Sequence, residues 1–97
     1  MIDIKESEEY LEWLQGLTKT EQAKVNARIS RIEIDEHFGV VKNLGEGLAE
    51  LKWSNGWRVY FASIGHKKIL LILGGHKNEQ EKDIKKARIY IRRITTH

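Results

Sequence analysis

The sequence predicts one α+β domain over residues 1–97, and three observations lead to that class. Residues 8–37 carry apolar side chains at helical spacing, residues 48–74 form three short strand-like segments joined by tight turns, and residues 79–94 return to helical spacing. Helices and strands therefore occupy separate stretches of the chain, as in α+β domains. The predicted order is a short N-terminal strand, a two-helix hairpin, a three-stranded antiparallel meander and a C-terminal helix packed on the sheet.

The N-terminal part contains the predicted edge strand and helical hairpin. Met1–Lys5 can form the short strand, and Ser7 can cap a helix that runs from Glu8 to about Leu17. Thr18-Lys19-Thr20-Glu21 has the form of a capping box, which predicts a second helix to about His37. Residues 40–47 are expected to be a loop with Gly45-Glu46-Gly47 at its tip.

The segment from Leu48 to Ile64 predicts a β-hairpin. Its loop, Ser54-Asn55-Gly56, has glycine where a three-residue hairpin loop needs positive φ. If Trp53 pairs with Trp57, then Lys52 lies opposite Arg58 and Glu50 lies opposite Tyr60. Side chains alternate along a strand, so these four share one face and the apolar residues between them face the core.

A third strand should extend the basic end of this hairpin. The apolar run Lys68–Gly74 follows a turn, and an antiparallel return from Ile64 brings Gly74 beside Arg58. Lys52, Arg58, His76 and Lys77 are then predicted to converge at one sheet end, with Glu50 near. Two cations directly opposite each other destabilise a sheet, which favours an anion between them. The alternative is a solvated sheet face with a Glu50–Arg58 ion pair.

The last helix is predicted from Glu79 to about Ile94, with Asn78 as its cap. Ile84, Ala87, Ile91 and Ile94 recur at 3-4-3 spacing, so this stripe is expected to dock on the sheet. Lys82, Lys85 and Lys86 lie on the remaining surface and, together with Lys68 and Tyr60, are candidate contacts for an anionic partner such as a nucleic acid.

Charge separates the chain into two halves. Residues 1–50 hold 6 Lys/Arg and 11 Asp/Glu (net −5), whereas residues 51–97 hold 11 and 3 (net +8). The second half therefore predicts an anionic partner, either nucleic acid or an acidic protein segment. The chain has no cysteine and no bilayer-spanning apolar run, so we expect a cytoplasmic protein that does not bind a membrane. The four histidines are scattered, and His66 and His97 are expected to be exposed, which predicts no metal site and no cofactor.

The ordered motifs resemble a known family. Leu44-Gly-Glu-Gly-Leu-Ala-Glu-Leu-Lys52, Gly56-Trp-Arg-Val-Tyr-Phe61, Leu73-Gly-Gly-His-Lys-Asn-Glu-Gln80 and Asp83-Ile-Lys-Lys-Ala87 are similar to the HigB-like "addiction module killer" branch of the RelE/ParE toxin superfamily. The resemblance covers about residues 7–94 and implies a RelE-like fold. It also implies the toxin of a type II toxin–antitoxin system, an endoribonuclease that cuts mRNA, commonly on the ribosome. A small antitoxin, here expected to be of helix-turn-helix type, would neutralise it.

The resemblance also implies roles for particular residues. Arg58 matches the family's sheet arginine at the scissile phosphate, and Lys52 matches a hairpin lysine that holds the phosphate or favours an ionised base. His76 and Lys77 fall in the loop where the superfamily often keeps a basic residue. His76 is the first candidate for acid or base, because imidazole titrates near neutral pH, and Glu50 is the alternative base.

Two other functions stay open at this stage. Relatives of the ParE type share the scaffold and inhibit DNA gyrase without cutting RNA. A non-enzymatic module could use the basic half only to bind an acidic or helical protein segment.

Overall fold

The computed structural model describes residues 1–95, and Thr96 and His97, including the histidine expected to be exposed, lie outside the described residues. The helices are α1 (Glu8–Gln15), α2 (Lys19–Asp35) and α3 (Gln80–Thr95), with a 3-10 turn at Lys77–Glu79 before α3. The strands are β1 (Asp3–Glu6), β2 (Val41–Gly45), β3 (Leu48–Lys52), β4 (Trp57–Gly65) and β5 (Lys68–His76). No helix in residues 1–95 combines the length and the apolar character needed to cross a bilayer.

The strands form one five-stranded sheet in the order β1-β5-β4-β3-β2. β2 to β5 form an antiparallel meander, and β1 pairs in parallel with β5. The predicted loop over residues 40–47 is therefore wrong, because Val41–Gly45 is a strand and the meander has four strands. Only Glu46 and Gly47 remain as the turn between β2 and β3, and both have positive φ, as does Gly45 at the end of β2. β2 is an exposed edge strand, so its sequence lacks the apolar alternation of a half-buried one.

Local capping signals in the sequence are confirmed. Ser7 accepts a hydrogen bond from the amide of Tyr10 at the start of α1, and Thr18 forms a reciprocal capping box with Glu21 at the start of α2. The first two helices each end about two residues before the predicted end, whereas α3 ends at Thr95, one residue beyond the predicted Ile94. In α2 the early end arises because Glu36 adopts the left-handed conformation at φ 57°.

The sheet buries both of its faces. On one face, α1 and α2 pack against Leu51, Trp57, Val59 and Phe61. On the other, Ala87 of α3 packs in a second buried cluster with Leu48, Tyr60, Ala62 and Ile72. The prediction that α3 docks on the sheet is confirmed, and the face that it covers is the polar face of the hairpin, which carries Glu50 and Tyr60.

The register explains which residues meet at the sheet end. The β3–β4 pairs Lys52–Arg58 and Glu50–Tyr60 are as predicted. Between β4 and β5, the pairs from Ser63–Ile69 to Phe61–Leu71 follow the expected alignment. Ile72 then forms a bulge, so that Tyr60 pairs with Leu73 and every later pair is shifted by one residue. Arg58 consequently pairs with Gly75 rather than with Gly74, and Trp57 pairs with His76.

The predicted Asn78 cap is also wrong. The chain enters α3 through the 3-10 turn, where the Nδ1 of His76 accepts a hydrogen bond from the amide of Asn78 at 3.3 Å. His76 therefore caps this turn, and Asn78 lies inside it.

Candidate anion-binding site at the end of the sheet

Arg58 is held at the end of β4 by the hairpin backbone. Its Nη1 donates to the carbonyl oxygens of Trp57 at 2.9 Å and Trp53 at 3.2 Å. Within residues 1–95 its Nη2 makes no hydrogen bond, and its Nε is buried without a partner. Gly75, its neighbour on β5, has no side chain. The guanidinium plane is thus fixed through Nη1, which leaves Nη2 as the donor available to an anion.

Lys52 lies directly opposite Arg58 on β3. Its side chain is 32% exposed, and its Nζ is 3.8 Å from Oε1 of Glu50. The structure therefore brings two cations together with one nearby carboxylate, as predicted. The alternative Glu50–Arg58 ion pair does not form within the described residues, because Glu50 lies beside Lys52 and Arg58 bonds to backbone carbonyls.

Glu50 and Tyr60 are fully buried beneath α3, so the alternative of a solvated sheet face is wrong for these two residues. Oε2 of Glu50 accepts a hydrogen bond from Nε2 of Gln80 at 2.7 Å, whereas its Oε1 and the Tyr60 hydroxyl have no hydrogen-bond partner in the described chain. Burial, with Glu50 and Asp83 nearby, raises the pKa of Tyr60. Tyr60 offers no surface to an RNA, so its predicted contact is not supported.

Sequence reasoning missed two residues of α3 that complete this polar cluster. Gln80 holds Glu50, and Asp83 is only 7% exposed. A Cβ at Gly75 would come within 2.1 Å of Oδ2 of Asp83, so glycine is what lets α3 approach β5 there. Burial raises the pKa of Asp83. The spacing Gln80, Asp83, Ala87 could have revealed them, since it extends the docking stripe of α3 toward its N-terminus.

His76 does not join Arg58. Residues paired across strands share a face, so the register places His76 on the face of Trp57, opposite to Arg58. A Cβ at Gly56 would lie 2.5 Å from Nε2 of His76, which locates the ring against the β3–β4 turn. Lys77 is exposed at this sheet end, and its amide donates to the carbonyl of Gly56 at 2.7 Å. The predicted convergence of all four residues is thus reduced to Lys52 and Arg58, with Lys77 at the rim.

The other predicted RNA contacts occupy different places. Lys68 begins β5, at the opposite end from Gly75, and its Nζ is 3.8 Å from Asp3. Lys82, Lys85 and Lys86 lie on α3 and line a shallow groove on its outer side. These three can supply a basic approach to the sheet end, whereas Lys68 cannot. In residues 1–95 no group of three His, Asp or Glu side chains converges as a metal site.

The family model described as "Phage derived protein Gp49-like" matches residues 12–95. The chain belongs to this Gp49-like family. An uncharacterized protein from Haemophilus influenzae is 36% identical over 91 residues, which covers 91% of both chains.

Solved structures establish the fold. The isolated RelE toxin of E. coli superposes with a TM-score of 0.65 at 15% identity, covering 89% of this chain and 98% of that one. A chain of the intact E. coli RelBE toxin–antitoxin complex gives 0.65 at 16% identity, with 78% and 96% covered. A chain of the Staphylococcus aureus YoeB–YefM complex gives 0.59 at 16% identity, with 78% and 97% covered. The predicted RelE-like α+β fold is confirmed.

Proposed function

We propose that this Gp49-like protein is the toxin of a type II toxin–antitoxin system and cuts mRNA as a metal-independent endoribonuclease. The observation that carries the proposal is the Lys52–Arg58 pair, two cations directly opposite each other at an accessible sheet end. The RelE fold and the motifs that resemble the HigB-like branch of the superfamily support it.

The proposed chemistry is attack by the 2′-hydroxyl of RNA on the adjacent phosphorus. The 2′ oxygen bonds to phosphorus as the bond to the 5′ oxygen breaks. A base takes the 2′ proton, and an acid protonates the leaving 5′ oxygen. Arg58 and Lys52 would stabilise the extra negative charge of the phosphorane, a role that suits preorganised cationic donors.

The acid–base roles are constrained by position. Glu50 is covered by Gln80 and α3, so its role in this proposal is to balance the charge of Lys52 rather than to contact the 2′-hydroxyl. His76 would have to act around the end of the sheet, since its ring lies on the opposite face. Lys77 is exposed at the same end of the sheet. It is the cation best placed to contact the RNA backbone next to the phosphate held by Lys52 and Arg58.

Expression in cells tests the proposal. Wild type, Arg58→Ala, Lys52→Ala and the matched charge-loss control Lys24→Ala, on the exposed surface of α2, are induced at equal levels, and growth and 5′ ends of messages are followed. Wild type and Lys24→Ala should arrest growth and produce new 5′ ends, whereas the two site variants should lose both effects by tenfold or more. Equal message cleavage by Arg58→Ala and wild type would overturn it.

A second candidate, inhibition of DNA gyrase as in ParE-type toxins, is favoured by one observation. Neither acid–base candidate, buried Glu50 nor His76 on the far face, is presented beside Arg58. A supercoiling assay with purified protein separates the two functions. Gyrase inhibition with intact message would favour this candidate, and cleavage without inhibition would exclude it.

The proposed partners are a cognate antitoxin, of helix-turn-helix type, and mRNA on the ribosome. The likeness to toxin chains solved with RelB or YefM supports the antitoxin, and the basic second half of the chain supports the RNA. Adding purified antitoxin should abolish cleavage. Comparing cleavage of naked and translated message tests ribosome dependence.

A further inference from the structure

A groove of about 580 Å³ runs between α1 and α3 beside β5, away from the Lys52–Arg58 pair. We call it the α1–α3 groove. Its floor contains Ile72 and Leu73 of β5, and Trp13 and Tyr90 contribute aromatic rings from the two helices. A groove with an apolar floor and an aromatic ring from each flanking helix can receive side chains of a partner.

The wall formed by α3 adjoins the stripe that docks on the sheet, and Tyr90 belongs to both because it also packs against the buried cluster around Ala87. Lys86, Ile89, Tyr90 and Arg93 follow i, i+3, i+4, i+7 spacing and all line the groove. Ile89 is 47% exposed, although nothing in the fold requires an isoleucine there. Docking on the sheet explains Ala87 and Tyr90 but not Lys86, Ile89 or Arg93.

The two walls carry opposite charge. Glu9 and Glu12 lie one turn apart on α1, and Lys86 lies on α3 across the groove. In residues 1–95 none of these three side chains forms a salt bridge within 4 Å, so the walls do not neutralise each other there. The groove therefore presents an apolar floor between one acidic and one basic rim.

These features select a helix as the occupant. Glu9 and Glu12 would repel the phosphates of an RNA. Addition of a strand to β5 is obstructed at Leu71 and Ile72, because the amide and the hydroxyl of Ser7 already donate to the carbonyls of these two residues. The remaining mode of binding is for a partner's apolar side chains to pack between α1 and α3, as an amphipathic helix does when it lies in a groove.

We propose that the α1–α3 groove binds an amphipathic helix of a partner protein. Its apolar residues recur at i, i+3 or i+4, and i+7, with Lys or Arg on the side that meets α1 and Asp or Glu on the side that meets α3. The inference goes beyond the proposed nuclease function, and binding can be measured without RNA, so either can fail alone.

Three synthetic helical peptides test it against the full chain. All three peptides share one leucine stripe and differ only in the two rows of residues beside it. In the mixed peptide one row is Lys and the other is Glu, in the second peptide both rows are Glu, and in the third both are Lys. Binding is measured by amide chemical shifts, with the double variant Glu9→Lys/Glu12→Lys as the charge test and Ile89→Glu as the contact test. Both concern exposed positions, and circular dichroism checks that each variant is folded.

Wild type should prefer the mixed peptide by about fivefold, as expected for a few rim charge pairs. The double variant, with two basic rims, should instead prefer the all-Glu peptide, and its largest shifts should still map to Trp13, Leu73 and Tyr90. Ile89→Glu should weaken every peptide at least fivefold. Equal affinities for the three peptides, shifts outside the groove, or an oligouridylate that shifts Ile89 more than any peptide does would each overturn the proposal.

Discussion

Arg28 of α2 joins three segments of the chain, and replacing it by alanine should destabilise the whole domain. Its guanidinium donates to the carbonyls of Phe38 at 2.9 and 3.2 Å, Val40 at 2.8 Å and Lys52, and it lies 4.3 Å from the centroid of the Trp53 ring. Burial lowers the pKa of Arg28, but a guanidinium stays charged at neutral pH.

The magnitude follows from these contacts. Each hydrogen bond to one of the three carbonyls should contribute about 0.5–1 kcal/mol to the free energy of unfolding, because water replaces part of the bond in the unfolded chain. The cation–π contact with Trp53 should contribute a similar amount. Arg28→Ala should therefore lower the free energy of unfolding by about 3 kcal/mol, and Arg28→Lys by about half of that, because one ammonium cannot reach three carbonyls. With a urea m value of about 1.5 kcal/mol/M, the alanine midpoint should fall by about 2 M.

Arg31→Ala, on the exposed surface of the same helix, is the matched control. It removes the same charge without these bonds and should change the free energy of unfolding by less than about 0.5 kcal/mol. If Arg28→Ala and Arg31→Ala unfold at the same urea concentration, the reasoning that Arg28 clamps α2 to β3 is refuted.

Three further predictions concern the packing around β5. Gly75→Ala should lower the free energy of unfolding in urea by about 1–3 kcal/mol, because the added Cβ would overlap the Asp83 carboxylate. The control Gly65→Ala should be nearly neutral, since its Cβ would meet only Lys68 atoms at 3.7 Å or more. Equal losses in the two variants would contradict the close approach of α3 to β5. Because burial raises the folded-state pKa of Asp83 above 3.8, its stabilising contribution is present at low pH and lost as the pH rises through the folded value. Asp83→Asn should thus have a larger free energy of unfolding than wild type at pH 7, and this difference should vanish toward pH 3.5. A difference that does not change with pH would refute the raised pKa of Asp83 as its cause. Ser7→Ala should cost about 1–3 kcal/mol and speed hydrogen exchange at the start of α1, because it removes a helix cap and a buried bond to Ile72; unchanged exchange would argue against the cap.

Local patterns predicted much of the fold correctly. The caps at Ser7 and Thr18, the pairing of Lys52 with Arg58 and the docking stripe of α3 each depend on residues a few positions apart. Turn chemistry and side-chain periodicity act over such distances, so they can be read directly from the chain.

The candidate site was only partly predictable, because one bulge controls it. With the expected alignment, His76 would have faced the same side as Arg58. The extra residue at Ile72 shifts β5 by one position, and the period of two along a strand then moves His76 to the other face. Nothing in the apolar run Ile69–Leu73 distinguishes a bulged strand from a regular one, since every side chain there suits either face.

The sequence by itself determined the three helices, the caps at Ser7 and Thr18, the β3–β4 register and the uneven charge of the two halves, because these follow from near neighbours along the chain. Tertiary structure decided that β2 joins the sheet, that α3 covers the polar face, and that Gln80 and Asp83 meet Glu50 and Gly75 there. These contacts join residues far apart in sequence. Their geometry depends on how two helical layers share one twisted sheet, which no short segment encodes.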